Sequence, residues 1–149
     1  MRVLLGLALV LGCGGSATSE FAHQDPAFTA KVPAALKAGA DKRAGESGSV
    51  SFANDDRSQE VFFAWARTGS KYDPVPAFQR HRTHPDLAKI VADEKIAAGE
   101  FVHIERGART FTHSVITSGD YGIECTASWA TSSPPAAAFR NACRTLTAQ

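Results

Sequence analysis

The chain has 149 residues, of which 44% are hydrophobic and 21% are charged, a size and composition typical of one globular domain with its own core. Its 16 Lys and Arg nearly balance its 15 Asp and Glu, so it lacks the basic field that nucleic-acid binding needs. Phosphate-loop and dinucleotide fingerprints are absent from the sequence. No nucleic-acid partner and no cofactor are therefore expected.

The first twelve residues have the plan of a secretory signal peptide. Met1 and Arg2 form a short positive region, and Val3–Leu11 is apolar apart from Gly6. Nine helical residues span about 14 Å, roughly half of a bilayer core, which is too short for a transmembrane anchor. Residues 1–12 are therefore predicted to be removed as a signal peptide.

The end of this segment, Val10-Leu11-Gly12-Cys13, resembles the lipobox of bacterial lipoproteins. The resemblance implies that Cys13 becomes the acylated (palmitate-bearing) first residue and anchors the chain to a membrane. Residues 13–24 would then be the lipidated cysteine and a flexible tether. The resemblance also implies a bacterial cell envelope location, at the outer membrane or on the periplasmic face. The alternative is an ordinary signal peptide cleaved after Ala17.

The three cysteines fit this assignment. An exported protein with an odd number of cysteines needs an explanation for one of them. If Cys13 carries lipid, Cys125 and Cys143 remain as a pair in an oxidising compartment. Cys125 lies on the inward face of a predicted strand and Cys143 on that of the following helix, so we predict a disulfide. Two buried free thiols are the alternative.

Residues 25–149 are predicted to form a single domain that begins with three strands. Residues 28–32 alternate apolar and polar before a proline, which is typical of a short edge strand. Residues 37–49 are polar and glycine-rich, so a loop is expected there. A second strand follows at 50–52, and residues 61–66 are apolar on both faces, as in a central strand.

A helix is predicted next, over residues 85–95. The evidence is the helical spacing of Leu87, Ile90 and Val91. A shorter helix is predicted over residues 76–82.

The last part of the chain is predicted to form a three-stranded meander and a helix. The strands are expected at 101–106, 109–117 and 121–129, separated by glycine-containing turns. The terminal helix should be capped by Ser132 or Ser133. Its apolar stripe is Ala136, Phe139, Ala142, Cys143 and Leu146.

This order of elements predicts an α+β fold, in which helices pack on an antiparallel sheet of about six strands and the C-terminal helix docks on the sheet. The segments "FTAKVPAALK", "SVSFANDDRSQEVFFAWA" and "YGIECTASW…FRNACRTL" are similar to the opening strand, the following hairpin and the closing strand and helix of PsbP/Mog1-like domains. That family includes photosystem-associated and Ran-binding members and many bacterial proteins without an assigned activity. The resemblance implies the fold and assigns no functional residue.

Histidines are the residues most suited to a metal site. The chain has five: His23, His81, His84, His103 and His113. His81 and His84 are spaced to share a helix face and bind zinc with Asp86 or a strand residue. However, Pro85 disfavours a helical conformation at His84, and no second close pair of ligands supports the site. No metal site is predicted. The stretch Arg80–His84 could alternatively face anionic lipid headgroups.

Other residues do not form a recognisable catalytic set. "GESGS" at residues 45–49 departs from the nucleophile-elbow pattern. Glu105 and Glu124 lie on the polar faces of their strands with nothing to show that they converge, and Trp65 and Trp129 are expected in the core. His113 is expected on the core side of its strand or at the margin of the core. The protein is therefore predicted not to be an enzyme.

These observations predict a membrane-tethered extracytoplasmic lipoprotein that acts as a non-enzymatic binding or scaffolding module for an unidentified envelope protein. One alternative is a small metal-binding or hydrolytic envelope protein that uses His81, His84 or His113. Another is a chaperone-like module with an apolar cavity between helix and sheet.

Overall fold

The computed structural model describes residues 17–149, which are mostly β-sheet, with 56% strand and 14% helix. The strands are β1 (Thr18–Gln24), β2 (Ala27–Pro33), β3 (Lys37–Ala38), β4 (Lys42–Ala44), β5 (Ser47–Ala53), β6 (Glu60–Arg67), β7 (Leu87–Ile96), β8 (Gly99–Arg106), β9 (Arg109–Ser118), β10 (Tyr121–Ala130) and β11 (Thr147–Ala148). The helices are α1 (Pro74–Phe78) and α2 (Ala137–Arg140), with 3₁₀ helices η1 (Gln79–Thr83) and η2 (Ala142–Thr145). The predicted α+β fold with a sheet of about six strands is therefore wrong.

The smaller sheet has three antiparallel strands in the order β1-β2-β11. Strand β2 is the central strand of this sheet, so the prediction of an edge strand at residues 28–32 is wrong. Strand β1 lies inside the stretch 13–24 that was expected to be a flexible tether. Its seven residues pair with β2 from Thr18 opposite Pro33 to Gln24 opposite Ala27, which makes them part of the domain.

The larger sheet has eight antiparallel strands in the order β3-β5-β6-β10-β9-β8-β7, with β4 also paired to β5. The strands predicted at 50–52, 61–66, 101–106, 109–117 and 121–129 are confirmed as β5, β6, β8, β9 and β10. The predicted loop over the glycine-rich stretch instead contains β3, β4 and the start of β5, because short strands extend the sheet there.

The helix predicted over residues 85–95 is instead strand β7, at the edge of the larger sheet. Two register shifts against β8 interrupt the two-residue alternation that identifies a strand. Ile90 and Val91 are 42% and 41% exposed, so the apolar positions that mimic a helical stripe do not form a buried face. The backbone hydrogen bonds to β8 determine the structure of this segment.

The C-terminal segment forms two short helical turns, α2 and η2. The predicted serine caps are wrong, because the N-cap of α2 is Ala136, which has no capping side chain. Most of the predicted stripe is buried, with Phe139, Ala142, Cys143 and Leu146 at most 3% exposed. Every helix in residues 17–149 falls short of the length and apolar character needed to cross a membrane.

The main core lies between the two sheets. Its largest side chains are Phe28, Phe63, Trp65, Phe101, Ile123, Trp129, Phe139 and Leu146. Both tryptophans lie in this core, as predicted.

A second, smaller core lies on the opposite face of the larger sheet, where Phe78 of α1 packs on Val102, Ile104 and Val115. Asp73 is the N-cap of helix α1, and its carboxylate accepts a hydrogen bond from the backbone N–H of Val75 at 2.9 Å. This cap fixes the start of α1 and, through it, the position of η1.

Candidate functional site

Three side chains that can bind a proton or a metal ion meet on the face of the larger sheet that carries Phe78. His113 of β9 lies opposite Thr126 of β10, and Glu124 precedes Thr126 by two residues on the same face. The 3₁₀ helix η1 follows α1 directly and brings His81 to these strands. We call His81, His113 and Glu124 the histidine–glutamate cluster.

The carboxylate of Glu124 is the centre of the cluster. Its Oε1 lies 2.6 Å from Nε2 of His81 and 3.2 Å from Nδ1 of His113. Nδ1 of His113 is also 2.9 Å from Oγ1 of Thr126. The side chain of His113 is 3% exposed, that of Glu124 15% and that of His81 21%. His81 is therefore the member of the cluster with the most contact with solvent.

The two imidazole rings of the cluster are stacked. Their centroids are 3.6 Å apart and their planes differ by 10°. Phe111 lies nearly parallel to His113, with centroids 5.8 Å apart and planes 9° apart. Because like charges at this separation repel, the stacked pair favours at most one imidazolium.

The hydrogen-bond pattern assigns the ring hydrogen of His81. An ionised carboxylate can only accept, so His81 donates to Glu124 through Nε2, whereas Nδ1 of His113 forms its hydrogen bond with Oγ1 of Thr126 and lies 3.2 Å from Glu124. The second ring nitrogen of His113, Nε2, is buried and has no hydrogen-bond partner among residues 17–149. His113 therefore has a buried ring nitrogen that forms no hydrogen bond with a protein group in this part of the chain.

Burial and hydrogen bonding oppose each other at Glu124. Burial alone would raise the pKa of this carboxyl group, but the hydrogen bonds from His113 and His81 outweigh it and hold the pKa at about 2. Burial lowers the pKa of His113, although the hydrogen bond to Glu124 acts in the opposite direction. The cluster therefore contains a buried negative charge beside a histidine whose surroundings resist protonation.

Of the two metal-ligand candidates considered from the sequence, His81 lies in the cluster and His84 does not. His84 ends η1 with an extended backbone (ψ 136°), as the restriction imposed by Pro85 requires. Its Nδ1 accepts a hydrogen bond from the backbone N–H of Asp86 at 3.1 Å. The helical pairing of His81 with His84 is therefore not formed.

The guanidinium group of Arg82 is held by acidic side chains. It donates two hydrogen bonds of 2.7 Å to the carboxylate of Asp93 and lies 3.5 Å from Glu100. The hydrogen bond from Arg82 lowers the pKa of Asp93. The contact leaves this side chain 17% exposed, which weakens the idea that the segment presents free cations to lipid headgroups.

The remaining histidines lie elsewhere. His23 of β1 packs on Phe28 and Trp65, with ring centroids 5.0 and 4.2 Å apart, and its Nδ1 is 2.8 Å from the carbonyl oxygen of Pro26. His103 alternates with Val102 on β8, so it faces away from His113, which pairs with Val102. Burial lowers the pKa of His103.

Glu124 is the residue whose role the sequence did not reveal. The sequence places Glu124 on the polar face of its strand. Its contact with His81 joins two residues that are 43 positions apart in the chain, so local spacing does not predict it. The available signal was an acidic residue at the centre of a strand whose other face is apolar throughout. Glu105 does not join it in an acid pair, since no group of the cluster in the described residues is a second carboxylate.

Cys125 and Cys143 form a disulfide that joins β10 to η2, with Cα atoms 5.3 Å apart. Ser114 of β9 donates a hydrogen bond of 2.6 Å to the carbonyl oxygen of Cys143, so two strands hold the C-terminal segment. Cys13 lies outside the described residues, and its lipidation stays a prediction.

A cavity of about 350 Å³ lies where the end of β2 approaches the start of α2. It is lined by Ala17, Pro33, Ala34, Ala35, Leu36, Gln59, Pro135, Ala136 and Phe139. Gln59 is the one polar side chain among these residues. The chaperone-like alternative predicts a deep apolar cavity between helix and sheet, and this cavity lies between the end of β2 and the start of α2.

Comparison with known proteins identifies the fold. No family model and no curated protein matches the sequence. The structure is similar to the solution structure of cyanobacterial PsbP (CyanoP) from Synechocystis sp. PCC 6803, with a TM-score of 0.57, 12% identity and coverage of 96% of this chain and 99% of that one. It is also similar to a crystal structure from Bacteroides thetaiotaomicron VPI-5482, with a TM-score of 0.50 and 15% identity, covering 82% of this chain and 45% of that one. At these identities the likeness shows the fold alone, which is PsbP-like as the sequence resemblance implied.

Proposed function

We propose that this protein is a membrane-tethered, extracytoplasmic binding module without chemistry of its own. The observation that carries the proposal is the Cys125–Cys143 disulfide, which closes a PsbP-like fold. Structural disulfides persist in oxidising compartments, and the lipobox-like residues that end at Cys13 supply both export and attachment. The sequence resemblance to PsbP/Mog1-like domains, a family with photosystem-associated and Ran-binding members, supports a role in binding a partner.

Fractionation of cells that express the full chain tests the membrane attachment. We expect the wild-type protein in the membrane fraction, with an intact mass that starts at Cys13 and includes acyl chains. Cys13→Ser should remove the acyl mass and release the protein from the membrane. Ser16→Ala is the matched control, since it changes the same segment without touching the anchor or the disulfide. A mature chain that starts after Ala17 and carries no lipid would contradict the proposed anchor.

Cross-linking in intact cells tests the binding role. A lysine-reactive reagent reaches exposed side chains such as Lys37, which is 76% exposed. We expect one discrete adduct with an envelope protein, which is lost from Cys13→Ser because the unanchored domain leaves the membrane surface. The absence of any adduct with the wild-type chain would count against a binding module.

A further inference from the structure

We propose that His81, His113 and Glu124 bind one divalent transition-metal ion of the zinc class. The three side chains come from η1, β9 and β10, and each offers a donor atom within 4.8 Å of the others. Two imidazoles and one carboxylate are a donor set that zinc enzymes and related sites use, with further positions left to water or another ligand. The proposal goes beyond the binding role above and does not depend on it.

The charge of the cluster favours a cation. Glu124 is ionised and mostly buried, and its ion-pair partners in residues 17–149 are the two histidines and no lysine or arginine. A buried carboxylate that has only imidazole partners lacks a permanent counter-charge. A divalent ion would supply that charge and would be bound by all three side chains.

The unpaired, buried ring nitrogen of His113 is a second, independent indication of a ligand. Nε2 of His113 has no hydrogen-bond partner in the described part of the chain, although buried polar atoms usually have one. A histidine that binds a metal through one nitrogen commonly donates through the other. Thr126 is the partner for that hydrogen bond, since its Oγ1 lies 2.9 Å from Nδ1 of His113, which leaves Nε2 of His113 and the carboxylate of Glu124 to bind the ion.

Metal binding requires one ring to turn. The lone pair of an imidazole nitrogen lies in the ring plane, so two rings stacked at 3.6 Å cannot both point at an ion between them. His113 is fixed by β9, Thr126 and Phe111, whereas His81 stands on a five-residue 3₁₀ helix and is 21% exposed. His81 is therefore the ligand that moves, and the stacked arrangement is the metal-free form.

The donor types favour zinc-class ions over calcium and magnesium. Calcium and magnesium prefer oxygen ligands, and this cluster offers one carboxylate against two imidazoles. The site should therefore discriminate against both ions at millimolar concentrations.

The test is calorimetric titration of the chelator-treated full-length protein with zinc chloride, with calcium chloride as the comparison. We expect one zinc ion per chain with a dissociation constant below about 10 μM, and no response to calcium. Glu124→Gln and His81→Ala should each weaken zinc binding at least tenfold. His84→Ala is the matched control, because His84 is three residues from His81 and outside the cluster, and should bind zinc like the wild type.

Cobalt(II) gives an absorption signal that depends on its ligands, so the signal would not depend on His81 if this residue had only a structural role. Cobalt bound at the cluster should give visible absorption bands typical of a low-coordinate nitrogen and oxygen site, and these should be lost from His81→Ala. His81 is partly exposed, so this variant keeps the test valid if Glu124→Gln does not fold. Zinc binding that is undetectable in the wild type, or that is weakened equally by His84→Ala, would overturn the proposal.

Discussion

Strand β10 presents two very different faces within ten residues. On one face Ile123, Cys125 and Ala127 are fully buried between the sheets, and one of them forms the disulfide. On the other face Glu124 and Thr126 form hydrogen bonds with imidazoles. Both faces are largely shielded from solvent, so burial alone does not distinguish the face that carries the disulfide from the face that carries the histidine–glutamate cluster. The two faces differ in the chemical type of their neighbours, which are apolar side chains and a disulfide on one face and imidazole rings on the other.

The largest expected effect comes from breaking the face between the sheets. Phe63→Ala removes a fully buried ring of β6, and we expect it to lower the free energy of unfolding by about 3–5 kcal/mol. Phe62→Ala, one residue away on the opposite face and 37% exposed, should cost about 1 kcal/mol or less. Urea denaturation measures both. Equal losses would mean that the two faces of β6 are not distinct.

Removal of the disulfide should have the next largest effect. Its cysteines are 18 residues apart, and a loop of this size is worth about 3 kcal/mol in the chain-entropy account. We expect Cys125→Ala/Cys143→Ala to lose that amount in urea denaturation and to become insensitive to reductant. Wild-type protein treated with reductant is the control and should match the double variant. A double variant as stable as the oxidised wild type would contradict the assigned contribution.

Acid should destabilise the metal-free protein through the histidine–glutamate cluster, which lies on the face of the larger sheet away from the disulfide. The pKa of His113 is lowered, so the unfolded chain binds its proton first, and stability falls as the pH drops below the ordinary value of 6.5. The pKa of Glu124 is lowered from 4.5 to about 2, so its contribution, up to about 3 kcal/mol, is lost as the pH falls from 4.5 towards 2.

Urea denaturation at pH 7, 5 and 3 in the presence of a chelator measures this dependence. Glu124→Gln should flatten the lower part of the profile, because it cannot ionise. His84→Ala is the control and should follow the wild type. A Glu124→Gln profile as steep as that of the wild type below pH 4.5 would assign the acid sensitivity to other groups.

The smallest effect is expected at the exposed edge. Val91→Thr in β7 changes a side chain that is 41% exposed and should alter the free energy of unfolding by no more than about 0.5 kcal/mol. The same change at Val102, which is fully buried under Phe78, should cost about 1–3 kcal/mol, because it buries a hydroxyl group. Equal changes in the free energy of unfolding for Val91→Thr and Val102→Thr would be inconsistent with an exposed edge strand at β7.

The sequence predicted the parts of the fold that local alternation encodes. The alternating face from Tyr121 to Trp129 identified β10, and the same face placed Cys125 towards Cys143. The helix prediction around Ile90 is wrong because two register shifts against β8 interrupt the alternation of this strand and leave an accidental helical spacing. Such irregularities depend on the partner strand, so a pattern read along one segment cannot reveal them.

The candidate site was only partly predictable for a related reason. His81 and His113 were both singled out, but the register of β9 on β10 and the path of η1 decide that they share Glu124. Local spacing instead paired His81 with His84, which the backbone keeps apart. When a site combines residues from distant segments, those residues can be assigned to it only once the fold is known.

The pairing of β1 with β2 sets how far the domain can stand from a bilayer. The backbone of Ala17 already accepts a hydrogen bond from Ala34, and β1 begins one residue later. If Cys13 is acylated as proposed, only residues 14–17 separate the lipid from the sheet, and four extended residues reach at most about 14 Å. The domain would then sit close to the headgroups with a restricted set of orientations, so a partner would have to approach within the same thin layer above the membrane.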